Sequence, residues 1–424
     1  MILVMQKLLT ALLEGNLFQK MFCALKKHVK HILISIDYMV SYFPQKYCRS
    51  HLKIVPNRIV IMTNTFNYTC NPKYIYEALC KSGFDLDIYW IIRKNKNVEN
   101  FPPSTKLLQL GTWQCLKAVY SAKIWLDNGI VFSNYYDKKE AQIHIQTMHG
   151  SLGIKRLDNA VIARNARGGS GKRVVKREEE NTNLVITNSK FEEDVFKTVF
   201  WHDTPMLRLG HARTDILFLT QCSEVIKRVR ENLWRKYKIP KDCKIVLYAP
   251  THRLNLTIDD LDIDYQLLCE ELEKKFGGQF VVLFRLHPRM LRIMKNLVEE
   301  PHIFNVTDYP DIQELMLVTD IAITDYSSWI YDYLNTRKPG FIYATDIDRY
   351  NNRTGFYYPL EETPFPICED NDDLVLAIRN FDNDIYQKKV EKFLREKDAV
   401  DDGHSAERIA LKIIELIGND IQRG

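Results

Sequence analysis

The sequence is short of several things, and each shortage narrows what the chain can be. Of 424 residues only 17 are Gly and 15 are Pro, and no low-complexity tract is long enough to suggest fibrous repeats or extended disorder. The nine cysteines (Cys23, Cys48, Cys70, Cys80, Cys115, Cys222, Cys243, Cys269 and Cys368) include no CxxC pair. Neither a zinc site nor a disulfide framework is signalled, and free thiols in a reducing cytoplasm account for them. Long apolar runs are missing too: nothing reaches the roughly 18 to 20 uninterrupted residues that a membrane span needs. The opening MILVMQKLLTALLEGNLF is interrupted by Lys7 and Glu14 and lacks a small-residue cleavage site, so it does not read as a signal peptide. Charge of one sign is scarce as well. With 59 Lys and Arg against 54 Asp and Glu, the formal net charge is +5, too little to indicate a nucleic-acid partner.

What is present is a globular composition, 46% hydrophobic and 27% charged, on a chain too long for one ordinary core. Residues 1–50 combine Leu, Ile, Phe and Tyr with Lys7, Lys20, Lys26, Lys27, Lys30, Lys46 and Arg49. They read as a basic amphipathic helical extension, suited either to the interface of an anionic bilayer or to packing on the protein. From Arg58 the pattern changes to short apolar runs separated by helical stretches: RIVIM, LDIYWII, KIWLD, IHIQTMHG, TNLVIT and PMLRLG. A charged stretch at 222–240 reads as a linker helix. A second series follows from Lys244: KIVLYAP, FVVLFRLHP, HIFNV, DIAITDYSS and PGFIYATD. Strands alternating with helices predict parallel sheets covered on both faces. The expected organisation is α/β, with one Rossmann-like domain at 51–221 and a second at 241–424, and ligands in the crevice outside the strand ends.

The polar residues that follow those strands are the candidates for chemistry. In DIAITDYSSWIYDYL, Thr324, Asp325, Ser327 and Ser328 end a strand and start a helix carrying Asp332. Serines at a helix start cap free N–H groups, and the same N-terminus attracts a pyrophosphate; the sequence allows either reading. APTHR supplies Thr251 and Arg253, and RLHP supplies Arg285 and His287. These cations suit the negative charge that builds on a departing nucleotide. In QTMHGSLG, His149 is the candidate base, followed by Gly150, which permits close approach of a ligand, and by Ser151. RLGHARTDIL places Gly210, Arg213 and Asp215 near the domain junction, as cleft or acceptor contacts or as a local Arg213–Asp215 salt bridge. The basic loop from Arg156 to Arg177, with RNARGGSGKR, fails as a P-loop because Ala166 stands at the first glycine position and Arg173 follows Gly171 and Lys172. It reads as a loop for an anionic acceptor or a headgroup. The acidic run at 259–264 suits a solvated turn, and no metal is assigned there.

Taken together, CNPKYIYEAL, MHGSLGIKRL, TNSKFEEDVF, LGHARTDIL, LYAPTHR, RLHP and YPDIQELMLVTDIAITDYSSWIYDYLNTRKPGFIYATDIDRY, spread over about residues 70–350, resemble the CDP-glycerol glycerophosphotransferase family of teichoic-acid and capsule synthesis. The resemblance implies a GT-B-like fold of two Rossmann-like domains facing a central cleft. It also implies a peripheral position on the cytoplasmic face of a bacterial membrane, and transfer of glycerol phosphate from CDP-glycerol, or of ribitol phosphate from CDP-ribitol, with release of CMP. The acceptor would be a hydroxyl of a lipid-linked or polysaccharide chain. His149 and His287 would be catalytic, Thr251, Arg253, Arg285, Thr324, Asp325, Ser327, Ser328 and Asp332 would bind the donor, and no cofactor would be needed. The chain departs from the family pattern at Ser151, where many relatives carry Thr, and at Met148, where Trp is frequent. Two other readings are a GT-B glycosyltransferase using a nucleotide sugar and a non-catalytic membrane-bound scaffold.

Overall fold

A computed structural model describes residues 43–156, 171–219, 223–251, 262–286, 302–348, 350 and 355–421. Arg253, His287, most of the N-terminal extension and residues 157–170 of the basic loop lie outside the described residues. Two parallel sheets account for the architecture. The first contains β1 (Val55–Met62), β2 (Asp87–Ile92), β3 (Lys106–Gln109), β4 (Ala122–Asp127), β5 (Ile143–Gln146), β6 (Thr182–Thr187) and β7 (Met206–Arg208) in the order β3-β2-β1-β4-β5-β6-β7. The second contains β8 (Lys244–Tyr248), β9 (Phe280–Phe284), β10 (Ile303–Asn305), β11 (Ile321–Thr324), β12 (Gly340–Tyr343) and β13 (Ile367–Cys368) in the order β10-β9-β8-β11-β12-β13. This is the expected α/β, GT-B-like arrangement.

The strand sequences show why. Every residue of β4 and β9 is buried, and a strand covered by helices on both faces has no solvent side on which to alternate. β8 is likewise an apolar run, paired with β9 from Lys244 and Phe280 to Tyr248 and Phe284. The two edge strands β3 and β13 escape sequence reading because KLLQ and IC are short and only partly buried.

In each sheet the winding direction reverses once, between β1 and β4 and between β8 and β11. The loops leaving those strands diverge and leave a crevice at their C-terminal ends. Contacts between the halves show that these ends face one another. Lys73, on the helix Cys70–Lys81 after β1, pairs with Asp311 at 2.6 Å and Glu314 at 3.0 Å. Tyr74 Oη donates to the same Asp311 carboxylate at 3.0 Å. A Cβ built on Gly153, after β5, would lie 2.9 Å from Ser328 Cβ, after β11.

Two local readings change. The basic loop gives way at Gly171 to a helix, Gly171–Asn181, on which Lys176 and Glu180 stand one turn apart and pair. The last helix, Ser405–Ile421, packs back on the first half, although its sequence position puts it with the second. Arg408 donates to the Leu209 carbonyl at 2.8 and 3.1 Å. The Asp215 carboxylate accepts the N–H groups of Ser405 at 3.0 Å and Ala406 at 2.7 Å, capping that helix. Gly210 takes φ +85°, and a Cβ there would collide with Ser405 Oγ at 2.1 Å. We expect Gly210→Ala to cost roughly 1–3 kcal/mol of stability, read as a lower denaturant midpoint at unchanged m-value. An unchanged midpoint would show that this helix is not held through Gly210.

Candidate active site

The loop after β5 is bent by hydrogen bonds rather than by glycine. Thr147 ties itself to the Asp127 carbonyl through its N–H at 2.9 Å and its hydroxyl at 2.8 Å. Met148 then takes φ +48°, the left-handed region that side chains other than glycine avoid. Its N–H donates to Gln146 Oε1 at 2.9 Å and its carbonyl accepts from Asn71 Nδ2 at 3.1 Å. The reversal leaves His149 exposed just beyond the C-terminal end of β5, with open space above Gly150. It is therefore Met148, not Gly150, that supplies the left-handed residue of this turn.

His149 Nδ1 lies 2.6 Å from the Asn128 carbonyl, which can only accept. The ring proton is thus placed on Nδ1, and Nε2 keeps its lone pair. The ring is seated beside Gly129, where a Cβ would come within 3.5 Å of Nδ1. His149 is exposed, and its inner edge packs on Gly129 and the Asn128 carbonyl. Burial is the largest influence and, with the Arg213 charge, lowers its pKa below the usual histidine value despite the Asn128 hydrogen bond. That direction favours the neutral imidazole, the form that can accept a proton.

In the second half the residues singled out from sequence separate into two groups. Thr324 is buried and donates to the Ala249 carbonyl at 2.7 Å. Asp325, also buried, accepts the N–H groups of Thr251 and Tyr326 at 2.7 and 2.6 Å. Thr251 accepts from Lys155 of the first half at 3.2 Å. Arg285 donates through Nη1 to the carbonyls of Tyr309 at 2.6 Å and Val306 at 3.4 Å, and burial lowers its pKa. These side chains shape the crevice. Ser327 and Ser328 are half-buried, and Ser328, at the start of the five-residue helix Trp329–Tyr333, makes no capping hydrogen bond. Among the described residues the Ser328 hydroxyl has no hydrogen-bond partner.

Asp332 departs most from expectation. It is buried and engaged by Arg213, whose Nε and Nη2 reach its two oxygens at 2.7 and 3.1 Å. Arg213 therefore pairs with Asp332 across the molecule, not with Asp215. Through Nη2 it also donates to the Gly150 carbonyl at 2.8 Å, and its backbone N–H donates to Asn71 Oδ1 at 3.0 Å. Gly210 and Asp215 face the last helix and not the cleft. Ser151 Oγ accepts from Asn188 Nδ2 at 2.9 Å, and Asn188 Nδ2 also reaches Asp401 at 2.7 Å. Asn71, Asn128 and Asn188 are the residues that sequence reading missed, because an Asn directly after a strand (Asn128, Asn188) or in the first turn of a helix (Asn71) looks like any turn or cap residue.

One cluster has metal-ligand composition: Asp127, His144 and Glu178, all buried, with ligand atoms within 4.8 Å of one another. The site chemistry argues for shared protons. Asp127 already accepts backbone N–H groups from Val131 and Phe132, both at 3.1 Å, and the Gln146 amide at 2.6 Å. That same amide donates to Glu178 at 2.8 Å. Donors occupy the oxygens a cation would need. Burial raises the Glu178 pKa, and Asp127 raises that of His144 against the opposing effect of burial. The cluster lies beneath the Asn128 turn and fixes its shape.

With this geometry in view, comparison with known proteins is decisive. The model of the CDP-glycerol:poly(glycerophosphate) glycerophosphotransferase family matches residues 46–415. The chain belongs to that family. It is 30% identical over 367 residues to the teichoic acid poly(glycerol phosphate) polymerase of Staphylococcus epidermidis, which covers 84% of this chain and 49% of the relative. It is 26% identical over 381 residues to the teichoic acid glycerol-phosphate transferase of Staphylococcus aureus, covering 85% of this chain and 94% of that one. The chain spans about half the length of the first polymerases it matches, 49% in Staphylococcus epidermidis and 45% in Bacillus subtilis. Among solved structures, a histidine-to-alanine variant of the wall teichoic acid polymerase TagF superposes with a TM-score of 0.77 at 28% identity, covering 93% of this chain and 97% of that one. A TagF variant with a histidine replaced by asparagine and soaked with CDPG gives 0.76 at 27% identity, covering 93% and 99%.

For this glycerophosphotransferase-family chain, the Arg213–Asp332 pair makes a direct prediction. Asp332→Ala leaves a buried guanidinium unpaired and should cost roughly 3–5 kcal/mol, measured by denaturant unfolding. The double variant Arg213→Met/Asp332→Leu should cost less than the sum of the two single changes. Strict additivity would show that the two side chains do not act as a pair.

Proposed function

We propose that the chain transfers glycerol phosphate from CDP-glycerol to a hydroxyl of a teichoic-acid-type acceptor and releases CMP. One observation carries this reading: among the described residues His149 Nε2 and the Ser328 hydroxyl have no hydrogen-bond partner, and the loops that carry them, from opposite halves, meet where Gly153 packs on Ser328. The acceptor hydroxyl gives its proton to His149 Nε2 as its oxygen bonds to the β-phosphorus. The bond from that phosphorus to the bridging oxygen breaks, and CMP departs with the electron pair. Ser327 and Ser328, with Arg253 and His287 carried over from the family strings, are assigned to the phosphate oxygens. Thr251, Thr324, Asp325 and Arg285 hold the strand ends that present them. Positioning and proton transfer together supply the rate.

The family membership, the glycerol-phosphate relatives and the CDPG-soaked TagF support the cytidine donor. A ribitol donor is the second reading, favoured by 29% identity over 278 residues to the teichoic acid ribitol-phosphate primase of Bacillus spizizenii, which covers 64% of this chain and 69% of that one. Mass spectrometry of acceptor products formed from CDP-glycerol and from CDP-ribitol distinguishes them, and we expect the glycerol phosphate increment.

We place the chain peripherally on the cytoplasmic face of a bacterial membrane. No described helix is long and apolar enough to cross one. The helical residues 43–51 expose Phe43 and Tyr47, which together with the exposed Trp113 and the Lys117 that lies over its ring form an aromatic, basic face. Such a face suits an anionic interface. Phe43→Ser/Trp113→Ser should reduce sedimentation with anionic vesicles, and undiminished sedimentation would contradict the placement.

His149→Ala should lower CMP release about 10²–10⁴-fold. Because burial holds the His149 pKa down, the acid limb of kcat/KM should fall below the ordinary histidine range near 6.5. A limb at or above that value, or an active alanine variant, would remove His149 from the role of base.

A further inference from the structure

The crevice edge of the first sheet carries two cations that the transfer chemistry described above does not use. Strand β2 ends at Ile92 and runs directly into Arg93, and a turn closed by the Lys96 N–H on the Arg93 carbonyl at 3.3 Å brings Lys96 back beside it. Asn95 supplies the left-handed residue of that turn, at φ +63°. Both cations are half-buried, and among the described residues their partners are neutral. Arg93 lies over the Phe66 ring at 4.2 Å and donates to Tyr135 Oη at 2.8 Å. Lys96 Nζ donates to Asn67 Oδ1 at 3.0 Å. The nearby acid Glu99 is turned to the Asn97 amide at 3.0 Å.

Among the described residues Lys139, Arg285 and Lys338 also donate to neutral oxygens, whereas several other half-buried or buried cations are paired with carboxylates. Lys73 has Asp311 and Glu314, Arg213 has Asp332, Arg58 has Asp87 and Arg208 has Glu193. Two cations sharing one sheltered turn without a carboxylate repel each other and lose hydration. The cost is visible in Lys96, whose pKa burial and then the Arg93 charge both lower. An arriving anion removes it.

Their position says which anion. Strand order runs β2, β1, β4, β5, so the loops after these strands form one continuous rim. Lys96 touches Asn67 of the loop after β1. Asn64, in the same loop, donates its N–H to Asn128 Oδ1 at 2.9 Å, and Asn128 in turn holds His149. Three strand spacings, roughly 14 Å, separate the two ends of this rim. It belongs to the sheet opposite Ser327 and Ser328, away from the donor wall.

We infer that Arg93 and Lys96 form an anion subsite that holds a phosphate of the acceptor chain behind the hydroxyl presented to His149. This rests on the transfer reading and deepens it by naming two residues that position the acceptor. The subsite is a positioning device. It gives the acceptor a second point of attachment and so fixes which end reaches the base.

The test is titration calorimetry of the full chain with short synthetic oligo(glycerol phosphate) and, separately, with CDP-glycerol, alongside assays of CMP release. Arg93→Gln/Lys96→Gln should weaken oligomer binding about tenfold or more and flatten its salt dependence, while CDP-glycerol binding stays within about twofold. Lys96→Gln alone, which loses only the Asn67 contact, should show part of the effect, and Lys96→Arg should restore it. An oligomer that does not bind the wild type, or one that binds the double variant as tightly as the wild type, overturns the inference. So does a loss confined to CDP-glycerol, which would assign the cations to the donor. If the wild type binds the oligomer through these residues yet releases no CMP from CDP-glycerol, the transfer reading fails and the subsite stands. If CMP is released and the double variant keeps wild-type acceptor affinity, the subsite fails and the reading stands.

Discussion

The site depends on one buried ion pair. Arg213 belongs to the first half and Asp332 to the second, and the guanidinium that closes on that carboxylate also donates to the carbonyl of Gly150, the residue next to the candidate base. A buried charge without its partner costs several kcal/mol, so this contact fixes how far apart the two crevice walls can sit where the chemistry takes place. Asn71 extends the constraint. Its oxygen accepts from the Arg213 backbone, and its amide nitrogen donates to the carbonyls of Thr147 and Met148. The left-handed turn at Met148 is therefore held by the same network that joins the halves.

Beneath this turn a second network sets the chemistry of the base. Asp127 ends β4 and accepts the N–H groups that fold residues 129–132 into a turn. That turn presents the Asn128 carbonyl to His149. The tautomer and the orientation of the imidazole follow from a strand-end carboxylate that never meets a substrate. Lys73 with Asp311 and Glu314 pins the halves together at another point of the crevice. The walls are thus preorganised by charge pairs, and among the described residues the Ser328 hydroxyl on one side and His149 Nε2 on the other have no hydrogen-bond partner.

The sheets were legible because their strands are nearly unbroken apolar runs, as in FVVLF and KIVLY, and because a polar residue directly after such a run falls at the crevice. That rule located His149, Thr251, Asp325 and Ser328 correctly with respect to the strand ends. It could not say where a side chain turns. Asp332 sits one helical turn beyond Ser328, as a ligand-facing acid would, yet it faces Arg213, 119 positions away in the sequence. Gly210 and Asp215 lie beside Arg213 in the chain and point instead to the last helix, whose return to the first half no local pattern announces. Edge strands β3 and β13 failed for a different reason: a short edge strand buries too little to leave an apolar signature. Arg93 and Lys96 look like any charged turn until three dimensions show that, among the described residues, no carboxylate pairs with them.

The central claim is that an acceptor hydroxyl, relieved of its proton by His149, attacks the β-phosphorus of CDP-glycerol. The most direct measurement uses donor carrying a heavy-oxygen label in the bridge between its two phosphorus atoms, with mass spectrometry of both products. Attack at the β-phosphorus sends the bridging oxygen out with the leaving group, so the label is predicted in CMP and absent from the lengthened acceptor. Label retained in the transferred group would mean that another bond is broken, and would contradict the account.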